Sequence, residues 1–217
     1  MSKEQRALQF MLDGNYEAAA KLFIELMEIE KEEPRHFMHF GKLLFQMKQY
    51  EEAERFFLKA ISLDESQPEF FNSLGNLYYE TKLYDDAIKM FQHTIKLGLD
   101  ESDVHFMLGM SYVQNNNITL SLPYLQRSAE LTNDAEKSFQ YGLSLAKLKY
   151  YEEATQQFTN AIKLDDTHTD AIYNLAIIYV HKNELVLALQ QLEKVLKQVP
   201  EHSLALQAKK EIEKLSR

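Results

Sequence analysis

Apolar positions along this chain fall at helical spacing, and the helical pattern itself repeats. The phrase Tyr-Glu-Glu-Ala stands at residues 50–53 and 151–154, with close variants at 16–19 and 84–87. Aligning it sets anchors at Tyr16, Tyr50, Tyr84, Ile118, Tyr151 and Leu185, separated by 34, 34, 34, 33 and 34 residues. Three residues after each anchor comes Ala19, Ala53, Ala87, Ser121, Ala154 or Ala188; four further on comes Phe23, Phe57, Phe91, Leu125, Phe158 or Leu192. Offsets of three and four put each set on one face of a helix.

A second set lies upstream. Nine residues before the anchor, from the second repeat onward, stands a small residue: Gly41, Gly75, Gly109, Gly142 and Ala176. Each follows a bulky residue (Phe40, Leu74, Leu108, Tyr141, Leu175), and three positions later comes Leu44, Tyr78, Tyr112, Leu145 or Tyr179. Glycine inside a helix costs about 1 kcal/mol relative to alanine, so its return to one site needs a packing reason. Close approach is that reason: without a side chain there, a ring or Leu of the following helix can lie against the backbone.

Each repeat is thus predicted to be two antiparallel helices of about 12 to 15 residues, joined by tight turns such as Lys48-Gln49 or Lys82-Leu83. Acids after the anchor (Glu51, Glu52, Asp85, Asp86, Glu152, Glu153) meet the positive end of the second helix. Neither helix buries its apolar face alone, and a period of this size signals a solenoid. The expectation is one elongated body over 1–217, with units 1–33, 34–67, 68–101, 102–134, 135–168 and 169–202. Residues 203–217 read as a capping helix with Ser203 as N-cap and Leu206, Ile212 and Leu215 as its apolar positions. The fourth unit breaks the pattern, with Asn at 115–117, Ile118 as anchor and Pro123 early in its second helix. A slightly late helix start would make this an ordinary N-terminal proline; the alternative is a hinge in mid-array.

The bulky residue, Leu, Gly and Tyr of the first helix, followed by Tyr, Ala, Phe and Ala of the second, resemble the tetratricopeptide repeat (TPR) family. Residues 70–97 and 138–165 are the best copies, and the resemblance spans essentially the whole chain. It implies an all-α, right-handed α-solenoid that works as a protein-interaction scaffold, and it places the chain with small bacterial, cytoplasmic members of the family.

Composition agrees with that class and removes others. The formal charge is −9, with no cluster of Lys and Arg to neutralise phosphates, which argues against nucleic acid as a partner. Cysteine is absent, so there is no thiolate metal site and no thiol nucleophile. The start of the chain lacks a signal-peptide pattern and no stretch is long and apolar enough for a membrane span, so no membrane contact and a cytoplasmic location are expected. Glycines stand singly and never form a phosphate-cradling run. Of seven histidines only His36 and His39 share helical spacing, and they read as solvated or partly packed side chains rather than metal ligands. No enzyme activity, catalytic residue, metal or cofactor is expected.

The resemblance directs attention to the face formed by the first helices, which is the concave, ligand-facing side in the family. Its family positions carry over to Met38, Asn72, Phe106, Phe139 and Tyr173; to Lys42, Asn76, Met110, Leu143 and Ile177; and to Tyr79 in the last row, with Asn174 beside Tyr173. Each unit already has a core set elsewhere, so this apolar stripe is surplus and marks an interaction site. Asn can bond both donor and acceptor of a peptide backbone, and Met and aromatic side chains adapt to varied apolar groups. The expected ligand is a peptide or helical segment of another protein. A sensor of short free peptides, or a self-assembling module whose groove is covered by a second copy, are the alternatives. Glu69, Asp103, Glu136 and Asp170 read equally well as an acidic groove edge or as acids at helix N-termini. The family's co-chaperone subtype, which clamps a C-terminal carboxylate, is not expected: its Lys and Arg positions carry Glu69, Ser73, Asp103 and Met107.

Overall fold

The structure is a computed structural model that describes residues 1–215, the side chain of Leu215 excepted. The described residues form helices joined by short turns, in two compact units. The first, Met1–Asn115, holds α1 Lys3–Leu12, α2 Tyr16–Ile29, α3 Pro34–Gln46, α4 Tyr50–Leu63, α5 Pro68–Glu80, α6 Tyr84–Lys96 and α7 Ser102–Gln114. The second, Asn116–Arg217, holds α8 Ile118–Leu131, α9 Ala135–Lys147, α10 Tyr151–Leu164, α11 Thr169–His181, α12 Leu185–Gln198 and α13 Ser203–Leu215. The boundary falls inside the run of asparagines where the sequence breaks its own repeat.

The turn inside each pair has one construction. Helices α1, α3, α5, α9 and α11 all end in a residue with left-handed backbone: Gly14, Lys48, Lys82, Lys149 and Asn183, with φ between 60° and 75°. After α3, the Lys48 N–H donates to the carbonyl of Phe45 and the Gln49 N–H to that of Leu44, both at 2.9 Å. The same pair of bonds closes α5 through Lys82 and Leu83 and α9 through Lys149 and Tyr150. This arrangement satisfies two carbonyls that the helix end would otherwise orphan, and it turns the chain straight into the next helix. A lysine in this conformation costs on the order of 1 kcal/mol, which glycine would not.

The opening phrase of the second helix then locks the pair. Ala19, Ala53, Ala87, Ala154 and Ala188 are fully buried, as are Phe23, Phe91, Phe158 and Leu192, with Phe57 at 1%. The recurrent glycine sits under the ring: a Cβ built on Gly41, Gly75 or Gly142 would stand 2.8 Å from a ring carbon of Phe57, Phe91 or Phe158. Ala7, at the glycine position of the first pair, is fully buried under the same scheme. Pro34 and Pro68 open α3 and α5, where a missing N–H costs nothing.

Two details differ from the sequence reading. Helix α8 starts at Ile118, in phase with its counterparts, so Pro123 lies inside the helix and its ring removes the donor for the Thr119 carbonyl; the late start does not occur. The cap of α13 is His202, whose Nδ1 accepts from the Ala205 N–H at 3.1 Å, and the buried positions are Ala205 and Ile212, whereas Leu206 is exposed. The side chain of Leu215 lies outside the described residues.

Replacing Gly75 with alanine should lower stability by about 1–2 kcal/mol, overpacking against Phe91 outweighing the gain in helix propensity. Lys149→Gly should raise it by up to about 1 kcal/mol. Urea denaturation of each variant beside the wild type measures both.

Candidate functional site

In the first unit the face built by α3, α5 and α7 carries Met38, Lys42, Asn72, Asn76, Tyr79, Phe106 and Met110. Met38 is not available on it. It is 6% exposed and packs with Ala60 of α4 and Phe70 of α5, so it belongs to the core. The others are half-buried. Asn72 and Asn76 stand one turn apart on α5, and among the described residues neither carboxamide has a hydrogen-bond partner. Two cavities flank them. One, of about 230 Å³, is walled by Met11, Phe45 and Phe57 with Lys42, Ser73 and Asn76 at its polar side. The other, of about 330 Å³, lies among Asn72, Asn76, Phe106, Met107, Glu101 and Asp103. Asn76 is common to both, so the first unit brings four of the sequence-predicted residues, Lys42, Asn72, Asn76 and Phe106, to one continuous surface.

Charge on this surface is unevenly placed. Burial pushes the Lys42 ammonium below its ordinary value, and the carboxylate of Glu69 pulls it back up. Among the described residues no carboxylate lies within 4 Å of it. The far cavity holds two acids. Glu101 is the residue before α7 and Asp103 lies in its first turn, so Asp103 is both an acid at a helix N-terminus and part of the cavity wall. Glu69, Glu136 and Asp170 also sit in first turns. Tyr79 packs edge-on against Tyr84, ring centroids 5.6 Å apart, and burial raises its phenol.

The second unit gives a different picture. Phe139 is 6% exposed and sits among Phe158 and His168, with ring centroids at 5.8 and 4.6 Å, so it too is core and not groove. Met38 and Phe139 each pack against both the second helix of their own pair and the start of the next, at Ala60 and Phe70 or at Phe158 and His168, which the spacing alone did not show. Leu143, Tyr173, Asn174 and Ile177 are half-buried. Tyr173 packs on His202 at 5.2 Å, and the Asn174 amide donates to the Asp170 carbonyl at 2.8 Å, so that donor is already used within α11.

The histidines have structural partners. His36 is buried, more so than expected, with Nε2 2.9 Å from Glu30, while His39 lies 3.5 Å from Glu4 and stacks on Phe23 at 5.9 Å. His168 caps α11 through Nδ1, 3.2 Å from the Ala171 nitrogen. No group of three or more His, Asp and Glu with metal-binding geometry occurs among the described residues, and none of their helices is long and apolar enough to cross a membrane. One further cavity, of about 500 Å³, lies on the other side of the first unit among Ile24, Met27, Phe37, Phe40 and Phe56. Ile24, 45% exposed, lies at its rim.

Three repeat models match the sequence: TPR repeat over residues 41–82, and tetratricopeptide repeat over 72–136 and over 145–212. The crystal structure of YrrB, described as a TPR protein with an unusual peptide-binding site, is 36% identical and superposes with a TM-score of 0.82 over 88% of this chain and 99% of that one. The chain belongs to the tetratricopeptide repeat family. More distant TPR-like folds include MamA, at 20% identity and TM-score 0.74 over 77% of this chain and 92% of that one. PilF of Pseudomonas aeruginosa, at 19% identity and 0.78, covers 94% of this chain and 93% of its own. No curated protein matches in sequence. Membership of the TPR family makes the chain an α-solenoid of helix-turn-helix repeats and a protein-interaction scaffold.

The charge around α3 yields a pH dependence. Burial, together with Lys42, His36 and Arg35, lowers His39 from 6.5 to about 4. The unfolded chain therefore takes up this proton first, so the contribution of His39 to stability is intact above about pH 6.5 and declines as pH falls toward 4. His39→Gln should flatten this part of the profile, read as the difference between wild-type and variant urea midpoints across that range.

Proposed function

We propose that the leading-helix face of the first unit binds a peptide segment of a partner protein, in extended form, and that the protein acts in the cytoplasm by holding that partner rather than by catalysis. One observation carries the reading: Asn72 and Asn76, half-buried and without protein hydrogen-bond partners, stand between two cavities beside Lys42 and Phe106. Carboxamides so placed, bonded to no other protein group, are open to a ligand, and a peptide backbone offers the alternating donors and acceptors that match them. Apolar pocket walls would take the ligand's side chains. The peptide-binding site named for YrrB supports the choice of ligand class.

The alternative to catalysis rests on what the polar groups already do: His36 and His39 lie against carboxylates, His168 and His202 cap helices, and acids such as Glu152 and Glu153 open a helix. Self-association through the same face is the competing reading, and light scattering separates it.

Wild-type protein and an Asn72→Ala, Asn76→Ala variant, immobilised side by side in bacterial lysate, test the proposal. Loss of a captured protein from the folded variant, by about tenfold or more, is the expected result, since two buried backbone bonds at about 1 kcal/mol each amount to that. An unchanged set of captured proteins would remove the function from this face.

A further inference from the structure

Resting on the peptide-binding reading, we infer that the site reads charge in a fixed register: the ligand carries an acidic side chain and a basic side chain about six residues apart, with apolar residues between. The argument is one of charge complementarity along α3, α5 and α7. Lys42, on α3, borders the cavity walled by Met11, Phe45 and Phe57, and burial disfavours its ammonium without any carboxylate within 4 Å among the described residues. A charge so placed gains most from a partner that arrives with the ligand, because the contact forms out of bulk water. Glu101 and Asp103, on the α7 side, border the second cavity with Phe106. An acidic edge there favours a cation and repels an acid.

Spacing follows from helix packing. Neighbouring packed helices lie about 8–10 Å apart, so two steps from α3 to α7 come to about 20 Å. An extended chain covers that in about six residues at ~3.3 Å each. Asn72 and Asn76 on the intervening helix would bond the middle of this segment, leaving its apolar side chains to the two pockets. A segment acidic at both ends would meet repulsion at Glu101 and Asp103; one basic at both ends would meet it at Lys42.

The test uses the full chain and three acetylated, amidated heptapeptides: Glu-Ala-Leu-Ala-Leu-Ala-Lys, whose charged ends are six residues apart and on one face of an extended chain, the same with Glu at both ends, and the same with Lys at both ends. Titration calorimetry at low salt should rank the Glu/Lys peptide about tenfold tighter than either other, with the difference shrinking as salt rises. On Lys42→Glu the preference should pass to the Lys/Lys peptide. On Glu101→Gln with Asp103→Asn, both exposed, the penalty on the Glu/Glu peptide should vanish, which keeps the test open should Lys42→Glu not fold. Equal binding of all three peptides would overturn the charge register while leaving the groove itself in place. No binding of any of them, with the double Asn variant still losing its captured protein, would likewise overturn it and point to a ligand of other chemistry at the same face.

Discussion

The fold depends on one close approach, the ring of the second helix lying against the bare backbone of the first. Gly41, Gly75 and Gly142 accept Phe57, Phe91 and Phe158 at a distance where no Cβ would fit. Helix axes drawn this near leave little room for a longer connection, and the left-handed residue at Lys48, Lys82 or Lys149 supplies a turn that needs none. Tyr-Glu-Glu-Ala recurs because it serves both ends of this arrangement. Its alanine vanishes into the contact, its acids face the positive helix end, and its tyrosine covers the side of the pair.

With the core filled by that contact, the outward rows of the leading helices are freed from packing, and they are where function can be written. They are not uniformly free. Met38 and Phe139 are buried in the core, while Asn72, Asn76 and Phe106 stay at the surface around two cavities. The half-buried lysine at one end and acids at the other then give the surface a polarity that a purely apolar groove would lack.

Much of this was legible in the sequence because it is periodic. Helix pairing, the glycine contact and TPR family membership all follow from residues that return every 34 positions or so, and a packing constraint repeated that often leaves a readable trace. The backbone at Lys48 and Lys82 was not legible, since lysine gives no hint of a left-handed conformation that glycine or asparagine would announce. Nor was the capping role of His202, which replaced the expected Ser203, because histidine is a rare acceptor there. Within the candidate site, the sequence named Lys42, Asn72, Asn76 and Phe106, but burial of Met38 depends on Ala60 and Phe70, which lie on other helices. Glu101 flanks the carried-over positions and became visible only as a cavity wall.

On the proposed reading, the carboxamides of Asn72 and Asn76 pair with the backbone of a bound peptide. Nitrogen-15 NMR of the side-chain amides, assigned by single Asn→Asp substitutions, reads this directly as the Glu-Ala-Leu-Ala-Leu-Ala-Lys peptide is added. Shifts of both amide pairs together, with slowed hydrogen exchange at each, are the predicted result. Binding of the peptide with both resonances unmoved, or shifts confined to the residues of the second unit, would contradict the account.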